Sequence, residues 1–310
     1  MPACVVTGGT GNIGQALVRL LLSEGWRTYV LCNPLSLRTK FLPDSPQCRI
    51  VAYDLGNIAQ AKSSIDEPCE QFFHLGWRAS YGVERENPQA QISNIEASVE
   101  AAELAARLGC DVFVGAGSQA QYGDTNDTLT EDTPLRPTTH YGIAKCCAEQ
   151  MTRKVCAQRG VRHVWGRVCS VYGPCDGPYT LVTYLMCSFL RGQEAVLTPC
   201  LQEWDFMYAE DAARAFVALA EKGHDSQAYC LATGQARPLW QYMLEWKRVT
   251  EGKALLRLGG RPYPKGARQR LCADISRLVE HTEFSSATPF AEGMRKTLAW
   301  YREHLDALNA

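Results

Sequence analysis

No apolar run in the 310-residue chain reaches the length of a membrane span, and no charged segment leads into an apolar one. The expectation is a soluble, cytoplasmic protein. Blocks of like charge are missing too: 32 basic and 33 acidic residues leave a net charge of −1. That argues against nucleic acid or a membrane surface as the main partner. The 14 cysteines include no Cys-x-x-Cys pair, and the six histidines form no pair at ligand spacing, so no metal centre is expected. Cysteines such as Cys4, Cys32, Cys110, Cys156, Cys169 and Cys230 fall in predicted strands and helices. They read as reduced thiols used as small apolar residues. Internal repeats and low-complexity stretches are also lacking.

What the chain does contain starts at Ala3. The β-branched pair Val5-Val6 reads as a buried parallel strand. Glycines follow at Gly8, Gly11 and Gly14, and then Ile13, Ala16, Leu17, Leu20 and Leu21 fall at helical spacing. Strand, glycine turn and helix in that order aim free N–H groups and the positive end of a helix dipole at one point, where a pyrophosphate fits. Gly8 allows the tight turn, Gly11 lets backbone approach the phosphates, and Gly14 lets helix and strand pack closely.

Further strands are predicted at residues 27–31, 49–53, 71–75, 111–115 and 162–167. Long helices are predicted at 89–108 and 141–159, stopping at Gly109 and Gly160. In the first of these, Ile95, Val99, Ala102 and Ala106 form the apolar stripe. Residues 33–46 and 128–138 read as loops. This alternation predicts a parallel sheet covered on both faces. After Gly173-Pro174 the pattern is less regular, with short strands at 195–197, 205–208 and 227–231. Helices follow at 181–190, 210–222, 239–249, 274–281 and 289–304. The division expected is a dinucleotide-binding domain over 1–170 and, over 171–310, a smaller substrate lobe with segments returning to the main sheet.

Ligands of open α/β sheets bind beyond the carboxyl ends of the strands. That edge receives Thr7–Gly14, Asn33, Asp54-Leu55, Leu75-Gly76, Ser118 and Cys169-Ser170. Tyr141 and Lys145, four apart, share a helix face. An ammonium beside a phenol lowers its pKa, so the tyrosine can exchange a proton with a hydroxyl or ketone. Ser118 can hydrogen-bond the same oxygen, which suits hydride transfer at a carbinol carbon with a cofactor supplying the redox part.

These motifs carry a resemblance. Thr7-Gly-Gly-Thr-Gly-Asn-Ile-Gly14, Asp54-Leu55, His74-Leu-Gly76, Ser118 with Tyr122-Gly123, Tyr141-Gly-Ile-Ala-Lys145, Val171-Tyr-Gly-Pro174 and Asp205-Phe-Met-Tyr-Ala-Glu-Asp211 match, in order, the motifs of extended short-chain dehydrogenases/reductases. The pattern is similar to the NAD(P)-dependent epimerase/dehydratase group acting on nucleotide sugars. The resemblance implies a Rossmann-type doubly wound parallel sheet with a smaller C-terminal α/β substrate lobe. It implies Ser118, Tyr141 and Lys145 as the catalytic triad. Cofactor residues would be Gly8, Thr10, Gly11, Asn12, Ile13 and Gly14 around the phosphates, with Asp54 and Leu55 beside the adenine. Leu75, Gly76 and Cys169 would line the cofactor, Lys145 would hold its ribose, and Asn94 would support that lysine through water. The long helices at 89–108 and 141–159 resemble a pair that dimerises as a four-helix bundle, with Ala101, Ala102, Ala105 and Ala106 permitting close packing.

Departures from the pattern narrow the reaction. Where dehydratases of the group carry an Asp-Glu pair after the active serine or threonine, this chain has Gln119-Ala120-Gln121. Amides cannot act as general acids or bases, which disfavours elimination and leaves epimerase or ketoreductase. No carboxylate stands at the end of strand two, where an NAD enzyme usually bonds the ribose 2′-hydroxyl. Asn33, Ser36 and Arg38 could contact a 2′-phosphate instead, so the expectation leans to NADP over NAD. Sugar anchors are partly replaced: Ser170 stands for an asparagine, Trp204 for an arginine, and Arg261-Pro262-Tyr263-Pro264 for Arg-Pro-Gly-Asp. Arg261 is expected at a diphosphate, with Arg268 or Arg270 compensating for the lost arginine. Trp77, Tyr81, Gln119, Ser170, Thr180 and Trp204 are expected along the substrate space. A carbonyl reductase for a non-sugar ketone and a non-catalytic dinucleotide-sensing protein are the alternatives.

Overall fold

The computed structural model describes residues 1–264 and 266–304. Its first half runs β1 (Ala3–Thr7), α1 (Asn12–Ser23), β2 (Arg27–Cys32), β3 (Cys48–Ala52), β4 (Gln71–His74), α2 (Pro88–Leu108), β5 (Val112–Ser118), α3 (His140–Arg159) and β6 (Arg162–Val168). Then come β7 (Val171–Tyr172), α4 (Leu181–Leu190), β8 (Ala195–Val196), β9 (Glu203–Trp204), β10 (Met207–Tyr208), α5 (Ala209–Lys222) and β11 (Gln227–Leu231). The chain closes with β12 (Arg237–Pro238), α6 (Leu239–Val249), β13 (Leu256–Arg257), β14 (Arg270–Leu271), α7 (Ser276–Thr282) and α8 (Phe290–His304).

Seven strands pair in parallel in the order β11-β6-β5-β4-β1-β2-β3. The direction of winding reverses at β1, so a crevice opens between the carboxyl ends of β1 and β4. Both sheet faces are covered, as the apolar runs require. Cys4, Val6 and Phe73 point to one layer with Leu17, Leu21 and Phe216, while Val5, Phe72 and Phe113 point to the other with Leu104 and Trp165. Each buried phenyl ring contributes about 2 kcal/mol. A third cluster, around Tyr172, Trp246, Met294 and Tyr301, holds the C-terminal elements together. Gly109 and Gly160 end α2 and α3 with φ of 78° and 71°, the left-handed conformation expected of them.

Several local expectations change. The stretch 205–208 is not one strand: β9 ends at Trp204 and β10 begins at Met207, because β9 pairs with β12 and β14 while β10 pairs with β7. Between β3 and β4 the chain forms 3-10 turns over Leu55–Ser64, and the 33–46 loop contains one at Leu37–Phe41. The buried face of α2 is not the Ile95/Val99 stripe. It includes Gln91, Asn94 and Ser98, which are drawn in because they bond buried partners. Ala101, Ala102 and Ala105 are fully buried against this chain's own sheet layer, so they are not a dimer surface.

Candidate active site

The glycine turn builds the floor of the crevice. Gly8 has φ +71°, and a Cβ on it would lie 2.7 Å from Gly76 N; one on Gly14 would lie 2.1 Å from Gly8 O. Strand end and helix start therefore touch, as only glycine permits. Gly11 instead faces open space apart from Gly8 O, 3.4 Å from a would-be Cβ. As the N-cap of α1 it offers no side chain to the first-turn N–H groups, and that turn carries no acid. Asn12 Oδ1 is buried without a hydrogen-bond partner among the described residues. Free N–H groups, a helix N-terminus and no competing carboxylate in that turn fit a dinucleotide pyrophosphate. Gly8, Thr10, Gly11, Asn12, Ile13 and Gly14 would hold it, with Leu75 alongside.

Strand β5 ends in Ser118, and α3 begins beside it with Tyr141. Ser118 starts a short turn whose capping box ties its hydroxyl to Ala120 N–H and its own N–H to Gln121 Oε1, at 3.2 and 3.0 Å. The Ser118 hydroxyl also faces the Tyr141 phenol, and both line the same cleft. Burial pushes the phenol's pKa up, while Ser118 and the Arg85 guanidinium pull it down. Arg85 lies 4.4 Å from the centre of the Tyr141 ring. The expected tuning by Lys145 is corrected here. Its Nζ donates to Ala116 O at 2.6 Å and stands 3.6 Å from the centre of the Trp77 ring, but 5.9 Å from that of Tyr141. A carbonyl at the end of β5 and an indole face are better partners than the side of a phenol ring. Burial holds the Lys145 pKa well below the usual lysine range.

These side chains share a cleft of about 480 Å³ with Arg38, Tyr81, Gln119, Cys169, Ser170 and Thr180. Gln119 Oε1 is buried with no partner among the described residues, leaving an acceptor for a ligand. Cys169 is no nucleophile: burial drives its thiol pKa well above the ordinary value. A second cleft of about 350 Å³ adjoins the first through Ser170, Asp176 and Thr180, and is lined by Trp204 and Arg261. Trp204 Nε1 donates to Ser170 Oγ at 2.9 Å, so the two substituted anchors brace each other.

Other expected site residues have structural work. Asn33 Oδ1 accepts from Leu35 N, Ser36 Oγ from Arg38 N, and Arg38 donates to Cys175 O at 3.1 Å. Asp54 caps Gly56 and pairs with Arg78, while Leu55 packs behind Gly76. Asn94 bonds both the N–H and the C=O of Arg78, at 2.9 Å each, pinning the loop after β4. Arg268 donates to the carbonyls of Gly123 and Thr125, and Arg270 pairs with Glu203. Neither replaces the lost arginine.

Three functional features escaped the sequence reading. Arg85 sits between Glu84 and Glu86, and its place after β4 was the available signal. Asp176 is buried between the clefts, and burial raises its pKa to about 6. Thr7 Oγ1, His74 and Ser98 Oγ form a chain with bonds of 2.9 and 3.0 Å under the cleft. Burial keeps that imidazole neutral, with a pKa lowered to about 3. Among the described residues no cluster could hold a metal ion, and no helix is long and apolar enough to cross a membrane.

A sequence model of the NAD dependent epimerase/dehydratase family matches residues 4–232. A dTDP-glucose 4,6-dehydratase from Streptomyces griseus is 25% identical, over 97% of this chain and 94% of its own length. An uncharacterized UDP-glucose epimerase of Bacillus subtilis is 24% identical, over 96% of each. In fold, the chain is similar to the UDP-glucose 4-epimerase of Thermotoga maritima solved with UDP-glucose, at a TM-score of 0.86, 24% identity, and coverage of 98% and 99%. Glycine cradle, serine–tyrosine pair, doubly wound sheet and family match agree, and the chain belongs to the NAD-dependent epimerase/dehydratase family.

Proposed function

We propose that the protein is an NAD-dependent epimerase of a pyrimidine-nucleotide sugar, inverting a hydroxyl-bearing carbon by oxidation and re-reduction. The observation that carries this reading is the placement of Ser118 and Tyr141 together in the cleft beside the cradle, with amides where elimination would need acids. Bound NAD supplies the hydride acceptor and donor. Tyr141 takes the proton of the sugar hydroxyl as the carbon is oxidised and returns it after the sugar turns over. Ser118 donates to the carbonyl oxygen in between, and Lys145 has the donors to hold a ribose. Gln119 cannot titrate, and Gln121 is tied to Ser118 N, Trp165 Nε1 and Glu149 within the protein, so neither residue at these two positions supplies the acid–base pair of a dehydratase.

The second cleft supports the nucleotide part, with Arg261 available to phosphate oxygens and Trp204 to a flat ring. The relatives named for UDP and dTDP sugars agree. For the cofactor we infer NAD rather than NADP. Asn33 and Ser36 are spent on their own turn and Arg38 on Cys175 O, so the set read as a 2′-phosphate site is engaged elsewhere. Thermal-shift measurements with NAD and NADP, each crossed with bare UDP and dTDP and their sugars, test both points. NAD should raise the melting temperature more than NADP, and a sugar nucleotide should add to the effect of NAD. Stabilisation by NADP alone would contradict the cofactor reading. Indifference to every nucleotide would favour a reductase of a non-sugar ketone.

We also propose that α2 and α3 pair with those of a second copy in a four-helix bundle. Ile92, Ile143 and Met151 are 54%, 52% and 47% exposed on these helices, an apolar display that a partner would cover. Light scattering should give twice the 34.4 kDa protomer mass, and Ile143→Glu should halve it. A wild-type protein monomeric at micromolar concentration would contradict the bundle.

A further inference from the structure

Most arginines around the two clefts have their guanidinium groups engaged. Arg38 donates to Cys175 O, Arg78 pairs with Asp54, Arg167 with Glu149, and Arg268 is taken by two carbonyls. Arg85, on the turn Val83–Glu86 after β4, is different. It lines the first cleft, its guanidinium lies 4.4 Å from the centre of the Tyr141 ring, and its Nε is buried without an acceptor among the described residues. The neighbouring carboxylates are turned elsewhere. Glu84 accepts from Asn87 at 3.0 Å and Glu86 from His140 at 2.8 Å.

A buried N–H without an acceptor is costly, and proteins rarely keep one without a use. A planar guanidinium is shaped to take a carboxylate through two parallel hydrogen bonds. Its position narrows the ligand further. Tyr141 works at the reacting hydroxyl, so a sugar seated there presents the substituent of a neighbouring ring carbon to Arg85. We propose that Arg85 is a carboxylate subsite and that the substrate is a nucleotide-linked uronate. Its carboxylate would be held beside the carbon whose hydroxyl proton Tyr141 moves. This rests on the pyrimidine-nucleotide-sugar reading above.

Calorimetric titration of the NAD-loaded full chain with UDP-glucuronate, UDP-glucose and bare UDP tests it. UDP-glucuronate should bind about tenfold or more tightly than UDP-glucose. Arg85→Gln should bring the two ligands within about twofold of each other. Arg85→Lys, which keeps the charge and loses the fork, should retain part of the preference. Equal binding by the wild-type protein, or a preference that survives in Arg85→Gln, overturns the subsite. Bare UDP bound with neither sugar bound overturns the uronate while leaving the nucleotide site standing. Failure of all three to bind overturns the nucleotide-sugar reading, and the subsite falls with it.

Discussion

Tyr141→Phe should lower turnover about a thousandfold while NAD still binds with nearly wild-type affinity. The substitution removes one oxygen and leaves the ring between Trp77 and Arg85, so the wall of the cleft is kept. What is lost is the proton carrier next to Ser118. The pH dependence follows from the same geometry. Burial raises the phenol pKa, so the protonated form prevails near neutrality and serves as the acid in carbonyl reduction. Oxidation of the hydroxyl needs the phenolate. In the wild type the oxidative half-reaction should therefore quicken as pH rises toward the phenol's pKa, and the reductive half should slow. In Tyr141→Phe both dependences should flatten. Single-turnover reduction of NAD, followed by absorbance from pH 7 to 10, measures this; turnover within about tenfold of wild type would remove Tyr141 from the chemistry.

Glu149→Gln should cost about 3–5 kcal/mol of stability. Glu149 and Arg167 form a buried pair, each side chain 6% exposed, with contacts of 2.8 and 3.2 Å. Glu149 also accepts from Gln121 Nε2 at 2.6 Å. Without the carboxylate, a guanidinium that cannot shed its proton stays in the interior with Tyr122 Oη and Glu131 O as its remaining partners. Urea unfolding should show a lower midpoint with an unchanged slope. Arg167→Met added to Glu149→Gln should recover part of the loss, because the unpaired charge is then gone. A loss below about 1 kcal/mol in the single variant would show that the pair is solvated in solution. Gln121 links this pair to Ser118 N–H, so Glu149 is a positioning residue for the site, and turnover at saturating substrate should fall along with stability.

Local pattern was enough for the scaffold and poor at choosing partners. The strand Gln71–His74, the glycine cradle and the left-handed glycines closing α2 and α3 were all readable, because period, β-branching and turn chemistry are local properties. Which way a long side chain turns is not local. Lys145 was expected at the Tyr141 phenol and instead reaches a carbonyl on β5. Arg268, expected with Arg270 to compensate for the lost arginine, closes on Gly123, 145 positions away. The alanines of α2 could face either way, since small residues suit a sheet layer as well as a helix partner. Arg85, between two acidic neighbours, was not singled out by the sequence pattern. In the folded chain those acids bond His140 and Asn87, and the arginine is left to the cleft.

The most direct measurement of the central claim is proton NMR of a pyrimidine-nucleotide sugar incubated with the NAD-loaded protein in deuterated water. A hydride that leaves a carbon and comes back to it never exchanges with solvent. A second stereoisomer should accumulate, its inverted carbon still carrying the original hydrogen. A product that has lost water and gained deuterium on its carbon skeleton would contradict the account.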